Sequence, residues 1–306
     1  MPENIRHFEL PTSDADVHIV GTCRGDGPPL LLLHGNPLSH KSWDRIAPRL
    51  AQHFTLVATD LRGYGDSSKP AGSDRHENYT FRRMALDQVE VMRALGFERF
   101  AVAGHDRGAR TAFRMCMDHP ETVTRAAFLD ILPTHRVAQD MTMALSIDLY
   151  HWSFMAQPRG FPERLLRGNE AFYIRDKLMK QGPGKGGFTE EEIAEYTRVC
   201  TPENIHAVCE DYRAAATLDL QMDTQDFEAG RKIGCPVMVL WGEKSHTGTR
   251  HDPREAWPHY CADIVAMTAL PCGHYPVEQA PDATYAALRD FFLPEAAGRQ
   301  AVLEAV

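Results

Sequence analysis

The sequence predicts an α/β protein in which a mostly parallel sheet, covered by helices on both faces, is interrupted by an inserted helical cap. Apolar runs alternate with helical spacings up to residue 132, residues 133–222 lack convincing strand patterns, and strand alternation resumes near residue 236. Alternating strands and helices imply parallel pairing with helices on both faces. We therefore expect a core domain of residues 1–132 and 223–306, and a helical cap domain of residues 133–222 over the strand ends.

The individual elements follow from local patterns. Apolar, β-rich runs predict strands over 17–22, 30–33, 55–58, 99–104, 124–129, 236–241 and 264–270. In the core, helical spacing predicts helices over 43–52, 80–95, 107–118 and 282–292, the second of them capped by Thr80. In the cap it predicts helices over 140–155, 162–180, 189–199 and 202–216.

Composition excludes several classes of function. No apolar stretch approaches the roughly 20 residues of a membrane span, and residues 1–8 are too polar for a secretory leader. We expect a cytoplasmic protein without a membrane partner. The net charge of −9, with no segregated basic face, argues against binding to nucleic acid.

Cofactor and metal motifs are missing from the sequence. The glycine-rich segment 182–187 lacks phosphate-loop spacing and follows no strand, so we interpret it as a cap linker. His246 and His251 match no zinc spacing. Seven scattered cysteines form no disulfide framework and are expected to be reduced. We expect neither a cofactor nor a metal.

The most informative motif is the pentapeptide Gly104-His105-Asp106-Arg107-Gly108. It has the form of a strand-to-helix elbow, in which two glycines allow a sharp turn around a nucleophile. An apolar strand enters the motif and a helical pattern leaves it. A carboxylate at the nucleophile position indicates attack on carbon–halogen or epoxide carbon rather than esterase chemistry, and it yields an ester that must be hydrolysed.

Hydrolysis of such an ester needs a base and an acid partner. His274 follows the last predicted strand and is our choice of base, whereas His34 and His105 are expected to be structural. The segment after Trp241 often carries the acid in hydrolases, but Ser245 stands there. Asp130, at the end of the strand after the elbow helix, is the better acid, although an aspartate there could instead cap a turn.

Two further features surround the elbow. The backbone N–H groups of Arg107 and Asn36 are expected to form the oxyanion hole, although residues 34–37 would equally suit an ordinary turn. The side chains of Arg107 and Arg110 share one helical face beside Asp106. Because arginine opposes the dipole at a helix start, this pair favours bidentate capture of a substrate carboxylate. The alternative is a surface ion pair with neighbouring acids.

With these motifs the chain resembles the haloacetate (fluoroacetate) dehalogenases of the α/β-hydrolase superfamily over nearly its whole length. The resemblance implies Asp106 as nucleophile, His274 as base, Asp130 as its acid partner, and the two arginines as carboxylate binders. The matching segments are residues 105–110, 60–66, 129–134, 151–152, 211–217 and 273–274.

The resemblance also implies that His151, Trp152 and Tyr212 bind the departing halide, that a small haloacid is the substrate, and that the protein is a homodimer. Two positions depart from the pattern. Asn36 replaces a common phenylalanine and is similar to the halide-binding asparagine of haloalkane dehalogenases, and Gln181 replaces a pocket tryptophan of some members. Both bear on whether C–F bonds are cleaved or only C–Cl and C–Br bonds.

Two other functions fit part of the pattern. An epoxide hydrolase uses the same aspartate, histidine and acid, and its cap tyrosines would be Tyr150 and Tyr212. Epoxide hydrolases typically carry tryptophan where Arg107 stands, and they need no anion clamp. A non-catalytic receptor for a small carboxylic acid would need the arginines but no triad.

Overall fold

A computed structural model describes residues 5–180 and 187–293, and within these residues a single eight-stranded sheet runs through the molecule. The strand order is β1-β2-β4-β3-β5-β6-β7-β8. β1 and β2 run antiparallel to their neighbours, and all pairs from β3 to β8 are parallel. The strands are β1 Arg6–Pro11, β2 His18–Arg24, β3 Pro29–Leu33, β4 Thr55–Thr59, β5 Phe100–His105, β6 Val123–Leu129, β7 Val237–Gly242 and β8 Ile264–Leu270.

Helices cover both faces of this sheet. The two cores use alternate residues of the same strands: Leu31 and Leu33 pack with helices α2 and α3, and Leu30 and Leu32 pack with α1 and α15. This period of two is expected for strands buried on both faces. The helices of the sheet layers are α1 Ala47–Leu50, α2 Phe81–Ala94, α3 Arg107–Asp118, α12 His246–Arg250, α13 Pro253–Ala256, α14 Pro276–Gln279 and α15 Pro281–Phe292.

Between β6 and β7 the described chain is helical. Tyr212 lies near the end of α10, which continues through a π-helical turn, Ala215–Asp219, into α11. α11 spans residue 222, the boundary proposed between cap and core, and that division stays a prediction. The helices of this segment are α4 Thr134–Gln139, α5 Met143–Asp148, α6 Tyr150–Met155, α7 Phe161–Leu166, α8 Glu170–Lys180, α9 Glu190–Val199, α10 Pro202–Ala214 and α11 Leu220–Glu228.

The predicted fold class is confirmed, and the main errors concern helix length. The predicted helix 140–155 begins only at Met143, where the Thr142 side chain accepts a hydrogen bond from the Leu145 N–H. It is divided into α5 and α6 at Leu149, whose backbone (φ −100°, ψ 28°) is not helical. The predicted helix 162–180 breaks at Gly168, whose φ of 81° is left-handed. The predicted helix 43–52 is a 3₁₀ turn, His40–Trp43, followed by the short α1.

No helix within the described residues is both long and apolar enough to cross a membrane. Gln181 and residues 182–186 of the predicted linker lie outside the described residues.

Close packing of α3 against β3 generates the first prediction. A Cβ at Gly108 would lie 2.4 Å from the backbone oxygens of both His34 and Leu33. We expect Gly108→Ala to lower the free energy of unfolding by about 1–3 kcal/mol, the usual penalty of overpacking. Gly234→Ala is the control, since nothing lies within 4 Å of its added Cβ. Urea denaturation of both variants checks this, and equal midpoints would contradict it.

Candidate active site

Asp106 occupies the sharp turn between β5 and α3. Its backbone has φ 48° and ψ −113°, a conformation that side-chain-bearing residues rarely adopt. The turn is possible because its flanks lack side chains: a Cβ at Gly104 would lie 2.5 Å from the Gly108 carbonyl oxygen. The Gly108 N–H in turn donates to the His34 carbonyl oxygen over 2.9 Å. The predicted strand–turn–helix around Asp106 is therefore confirmed. The turn places Asp106 directly after the carboxyl end of β5.

The Asp106 carboxylate is buried but surrounded by positive charge and donors. The Asn36 backbone N–H donates to Oδ1 over 2.9 Å, and Oδ2 lies 3.8 Å from Nε2 of His274. Burial favours the neutral acid, yet neighbouring positive charge, first that of His274, holds the pKa of the Asp106 carboxyl well below its usual range. The group is therefore ionised at neutral pH, as a nucleophile must be.

His274 is held from both sides. Its Nδ1 lies 2.6 Å from Oδ2 of the buried Asp130, and its carbonyl oxygen lies 2.7 Å from Nε2 of His105. The other Asp130 oxygen, Oδ1, accepts hydrogen bonds from the Gly242 N–H over 2.9 Å and the Ser245 hydroxyl over 2.7 Å. The serine that stands where an acid is common thus supports the acid supplied by the neighbouring strand.

The predicted structural histidines have backbone partners. The Leu61 N–H donates to Nε2 of His34 over 3.1 Å, and the Nδ1 of His34 lies 2.8 Å from the Gly35 carbonyl oxygen. Both ring nitrogens of His34 are therefore occupied. His105 contacts the backbone of the His274 loop, as described above.

The two arginines of α3 are buried and differ in their partners. Arg107 forms an ion pair with Asp211, donating from Nε to Oδ2 over 2.8 Å and from Nη2 to Oδ1. Arg110 donates only to uncharged groups, the Leu132 carbonyl oxygen at 3.0 Å and the Thr134 hydroxyl at 2.9 Å. Burial and the charge of Arg107 lower the pKa of Arg110 to about 10. The alternative of a surface ion pair is wrong for both arginines, because both side chains lie inside the protein.

Each arginine also retains one unsatisfied donor. Nη1 of Arg107 and Nε of Arg110 are buried and have no hydrogen-bond partner among the described residues. Buried polar groups are usually paired, and Asp106 lies close enough that its charge acts on Arg110. Two guanidinium nitrogens of α3 are therefore buried and available as donors to an anion.

Three side chains of the helical segment complete the site. The Tyr212 hydroxyl accepts a hydrogen bond from Nδ2 of Asn36 over 3.2 Å, and its ring contacts that of His151 edge-on at 5.7 Å. The guanidinium of Arg110 lies 4.6 Å from the ring centroid of Trp152. Burial lowers the pKa of His151 well below its usual value, so its imidazole is neutral. The three predicted halide-binding residues thus gather around Asn36 and Arg110.

Two site residues escaped the sequence analysis, Lys177 and His246. Lys177 of α8 is buried and makes no hydrogen bond or ion pair with any described residue, although the Asp106 charge reaches it. Lys177 lies four residues after the buried Tyr173 and therefore on the apolar face of α8. A lysine on an apolar helix face is unusual, and this feature could have identified Lys177 from the sequence.

His246 follows Ser245, and its ring lies 5.1 Å from that of His274. Burial lowers the pKa of His246 to about 4, so this second imidazole is neutral. Asp130, His246 and His274 each offer a ligand atom, and the three atoms lie within 4.8 Å of one another. Asp130 and His274 already bond each other, and the expected absence of a metal stays a prediction.

Comparison with known proteins identifies the superfamily and family of the chain. Residues 28–281 match the family model of the alpha/beta hydrolase fold. The chain is 41% identical over 278 residues to a fluoroacetate dehalogenase of Burkholderia sp, covering 90% of each chain. It is 32% identical over 300 residues to a soluble epoxide hydrolase of Corynebacterium sp. (strain C12), covering 96% of this chain and 99% of the other.

A solved structure shows the same architecture. An α/β hydrolase from Nostoc sp PCC 7120 superposes with a TM-score of 0.91 at 47% identity, covering 94% of this chain and 98% of that one. The fold and the elbow define a hydrolase of the α/β-hydrolase superfamily. Within that superfamily the chain belongs to the haloacetate dehalogenase family, as its motifs indicated.

Lys177 generates a prediction about stability and pH. Burial, partly offset by Asp106, lowers the pKa of its ammonium to about 8 from 10.5. Below pH 8 the lysine is charged in both folded and unfolded states, so the folded protein carries the full penalty of a buried charge. Lys177→Met should therefore raise the free energy of unfolding at pH 7 by on the order of 3 kcal/mol, at 1.4 kcal/mol per pKa unit.

This gain should shrink as pH rises from about 8 toward 10.5, because the folded protein releases the Lys177 proton before the unfolded chain does. Urea unfolding at pH 7 and pH 10 measures the difference. The exposed Lys244 provides the control, and Lys244→Met should change stability by less than about 0.5 kcal/mol at either pH. A destabilised Lys177→Met protein at pH 7 would show that the ammonium has a stabilising partner.

Proposed function

We propose that this protein hydrolyses haloacetates to glycolate and halide through a covalent ester on Asp106. The observation that carries the proposal is the pair of unsatisfied guanidinium donors on α3, Nη1 of Arg107 and Nε of Arg110, beside an ionised carboxylate. A short carboxylic acid bound to these donors would hold its C2 atom close to Asp106. The 41% identity to a fluoroacetate dehalogenase supports the same chemistry.

The first step is a displacement at C2 of the substrate. Oδ1 of Asp106 is held by the Asn36 N–H, so Oδ2 is the oxygen that attacks. The new bond joins Oδ2 to C2, the C–halogen bond breaks, and the halide leaves with the bonding electrons. Holding the two reactants in line removes much of the entropic barrier to such a displacement.

The departing halide needs donors where its charge develops. Tyr212 accepts the Asn36 amide hydrogen bond and keeps its own hydroxyl proton for donation. His151 is neutral and has an N–H to offer, and Trp152 lies against Arg110. We assign halide binding to His151, Trp152 and Tyr212, with the Asn36 amide fixing the tyrosine. Asn36 therefore contacts both the nucleophile, through its backbone N–H, and a halide-binding residue, through its side-chain amide.

The second step hydrolyses the ester. His274 takes a proton from a water molecule that adds to the Asp106 carboxyl carbon, and the Asp130 carboxylate stabilises the imidazolium. The negative charge on Oδ1 is stabilised by the backbone N–H groups of Asn36 and Arg107. On collapse, the glycolate oxygen takes the His274 proton and the Asp106 carboxyl loses its own to solvent. Each turnover then releases one halide and one proton.

The remaining expectations belong to the same proposal. The substrate is a small haloacid, no cofactor is used, and the protein works as a cytoplasmic homodimer in line with its resemblance to the dehalogenases.

Epoxide hydrolysis is the second candidate, and one observation favours it. The Tyr212 hydroxyl has a proton to donate at the Asp106 site, as protonation of an epoxide oxygen requires, and a soluble epoxide hydrolase is 32% identical. Tyr150, the other tyrosine considered for this role, is more than a third exposed. An epoxide carries no anion to occupy the Arg107 and Arg110 donors, so this function explains less of the site.

Variants of the triad test the covalent mechanism. Asp106→Ala should abolish halide release, whereas His274→Ala should release one halide per site and retain an adduct about 58 Da heavier, the mass of a glycolyl ester. Intact-protein and peptide mass spectrometry after incubation with chloroacetate would locate the adduct on Asp106. The wild-type protein is the control and should show no lasting adduct. Stoichiometric halide release without an adduct would sink the ester mechanism.

A substrate panel separates the two candidate functions. We expect the wild-type protein to release halide and glycolate from bromoacetate and chloroacetate, and release from fluoroacetate as well would show that His151, Trp152 and Tyr212 suffice as donors for fluoride. Halide electrodes and chromatography of glycolate measure both products, with styrene oxide assayed alongside. Diol formation from the epoxide without any halide release would overturn the assignment of the arginine pair.

A further inference from the structure

The ion pair between Arg107 and Asp211 joins the elbow helix α3 to cap helix α10. Both side chains are fully buried. Besides the two bonds to the carboxylate, Nη2 of Arg107 donates to the Asp211 carbonyl oxygen over 3.1 Å. The guanidinium carbon also lies 4.6 Å from the ring centroid of Phe81 and 4.1 Å from that of Tyr212. These contacts restrict the orientation of the Arg107 side chain.

Asp211 is itself fixed by a third element. The Tyr64 hydroxyl donates to Oδ2 of Asp211 over 2.6 Å, and Tyr64 belongs to the loop after β4. The carboxylate thus has one oxygen shared by Tyr64 and Arg107 and the other bound to Arg107 alone. Residue 211 also precedes Tyr212, so one turn of α10 sets both the arginine and the tyrosine of the site.

This arrangement leaves Arg107 a single donor group. Nε and Nη2 are used by Asp211, and Nη1 alone remains buried and unpaired among the described residues. The bidentate geometry of a guanidinium and a carboxylate is rigid, so fixing one edge of the fork fixes the direction of the remaining group.

We propose that Asp211 is a positioning residue, which orients Arg107 so that Nη1 meets the substrate carboxylate together with Nε of Arg110. The inference rests on the proposed function, because it assumes that these donors bind the carboxylate. It assigns the two arginines different tasks: the charge of Arg107 is compensated by Asp211, and Arg110, bonded only to Leu132 and Thr134, supplies the uncompensated charge.

The chain contains a matched control for this pair. Arg114, two turns after Arg107 on α3, forms an equally buried ion pair with Asp223 of α11. Arg114 also forms ion pairs with Asp118 and with Asp226 of α11. The charge of Asp223 also acts on Arg110, so the control variant is Asp226→Asn. It removes a carboxylate from an α3 arginine, and Asp226 makes no hydrogen bond or ion pair with Arg107 or Arg110 in the described structure.

The test measures anion binding and turnover separately. Acetate is the probe, because it has the substrate carboxylate and no leaving group. We expect Asp211→Asn to weaken acetate binding and raise KM for chloroacetate by about 10-fold or more, as a misplaced charged hydrogen bond would. Asp226→Asn should change both by less than about twofold, as expected for a distant site. Ligand-observed NMR gives the acetate dissociation constant, and halide release gives KM and kcat.

A role for Asp211 in charge compensation alone predicts tighter acetate binding. If Asp211 merely compensated the charge of Arg107, removing its charge would leave the site more positive, and Asp211→Asn would bind acetate more tightly. Tighter or unchanged acetate binding would overturn the positioning role. Equal losses in Asp211→Asn and Asp226→Asn would also overturn it, since both would then reflect general destabilisation.

A second variant keeps the test open if Asp211→Asn does not fold. Tyr64→Phe removes one hydrogen bond to Asp211 and should weaken acetate binding by about threefold, a modest share of one hydrogen bond. Unchanged binding in folded Tyr64→Phe would count against the proposal. Absence of halide release from wild-type protein would sink the proposed function, whereas normal release with unchanged Asp211→Asn binding would sink the positioning role alone.

Discussion

The left-handed backbone at Asp106 is the constraint on which the rest of this structure depends. A residue with a side chain pays for φ near 48° in conformational energy, and the turn persists because β5, α3 and the 34–36 loop close around it. Gly35 shows how tightly they close, since a Cβ there would lie 2.5 Å from Cβ of Asp106. The same approach brings the Asn36 N–H to the carboxylate. The strained turn thus fixes both the proposed nucleophile and one donor of the proposed oxyanion hole.

The site gathers positive side chains although the chain as a whole is negatively charged. The chain carries a net charge of −9, yet the site gathers Arg107, Arg110 and Lys177 around one nucleophilic carboxylate. Only Arg107 among these has a carboxylate as hydrogen-bond partner in the described structure. A buried cation without a counter-ion lowers the stability of the fold. Perturbed buried charges of this kind cluster at functional sites.

Much of the site could be predicted because its signals are local. Asp106 with its glycines, the Thr80 cap of α2, and the strands that end at Asp130 and near His274 are all encoded within a few residues. The partner of Arg107 could not be inferred in this way, since Asp211 lies 104 positions away and only the packing of α10 on α3 brings them together.

Other errors have equally local causes. The late start of α5 depends on the Thr142 cap, and the helix breaks at Leu149 and Gly168 depend on non-helical residues inside otherwise helical patterns. Strand β1 was missed because its residues are largely exposed and give no apolar run. This segment is a strand because it pairs antiparallel with β2.

Asp106, Asp130 and His274 all follow strands of the sheet, whereas His151, Trp152 and Tyr212 all lie on helices inserted between β6 and β7. In the proposed mechanism, the breaking bond would therefore lie between two separately encoded stretches of chain. Changes in the inserted helices would then alter the leaving group, a fluoride, a heavier halide or the oxygen of an opened epoxide, without changing the residues proposed to hydrolyse the ester. Relatives described as a fluoroacetate dehalogenase and as a soluble epoxide hydrolase, at 41% and 32% identity, are the divergence that such an arrangement allows.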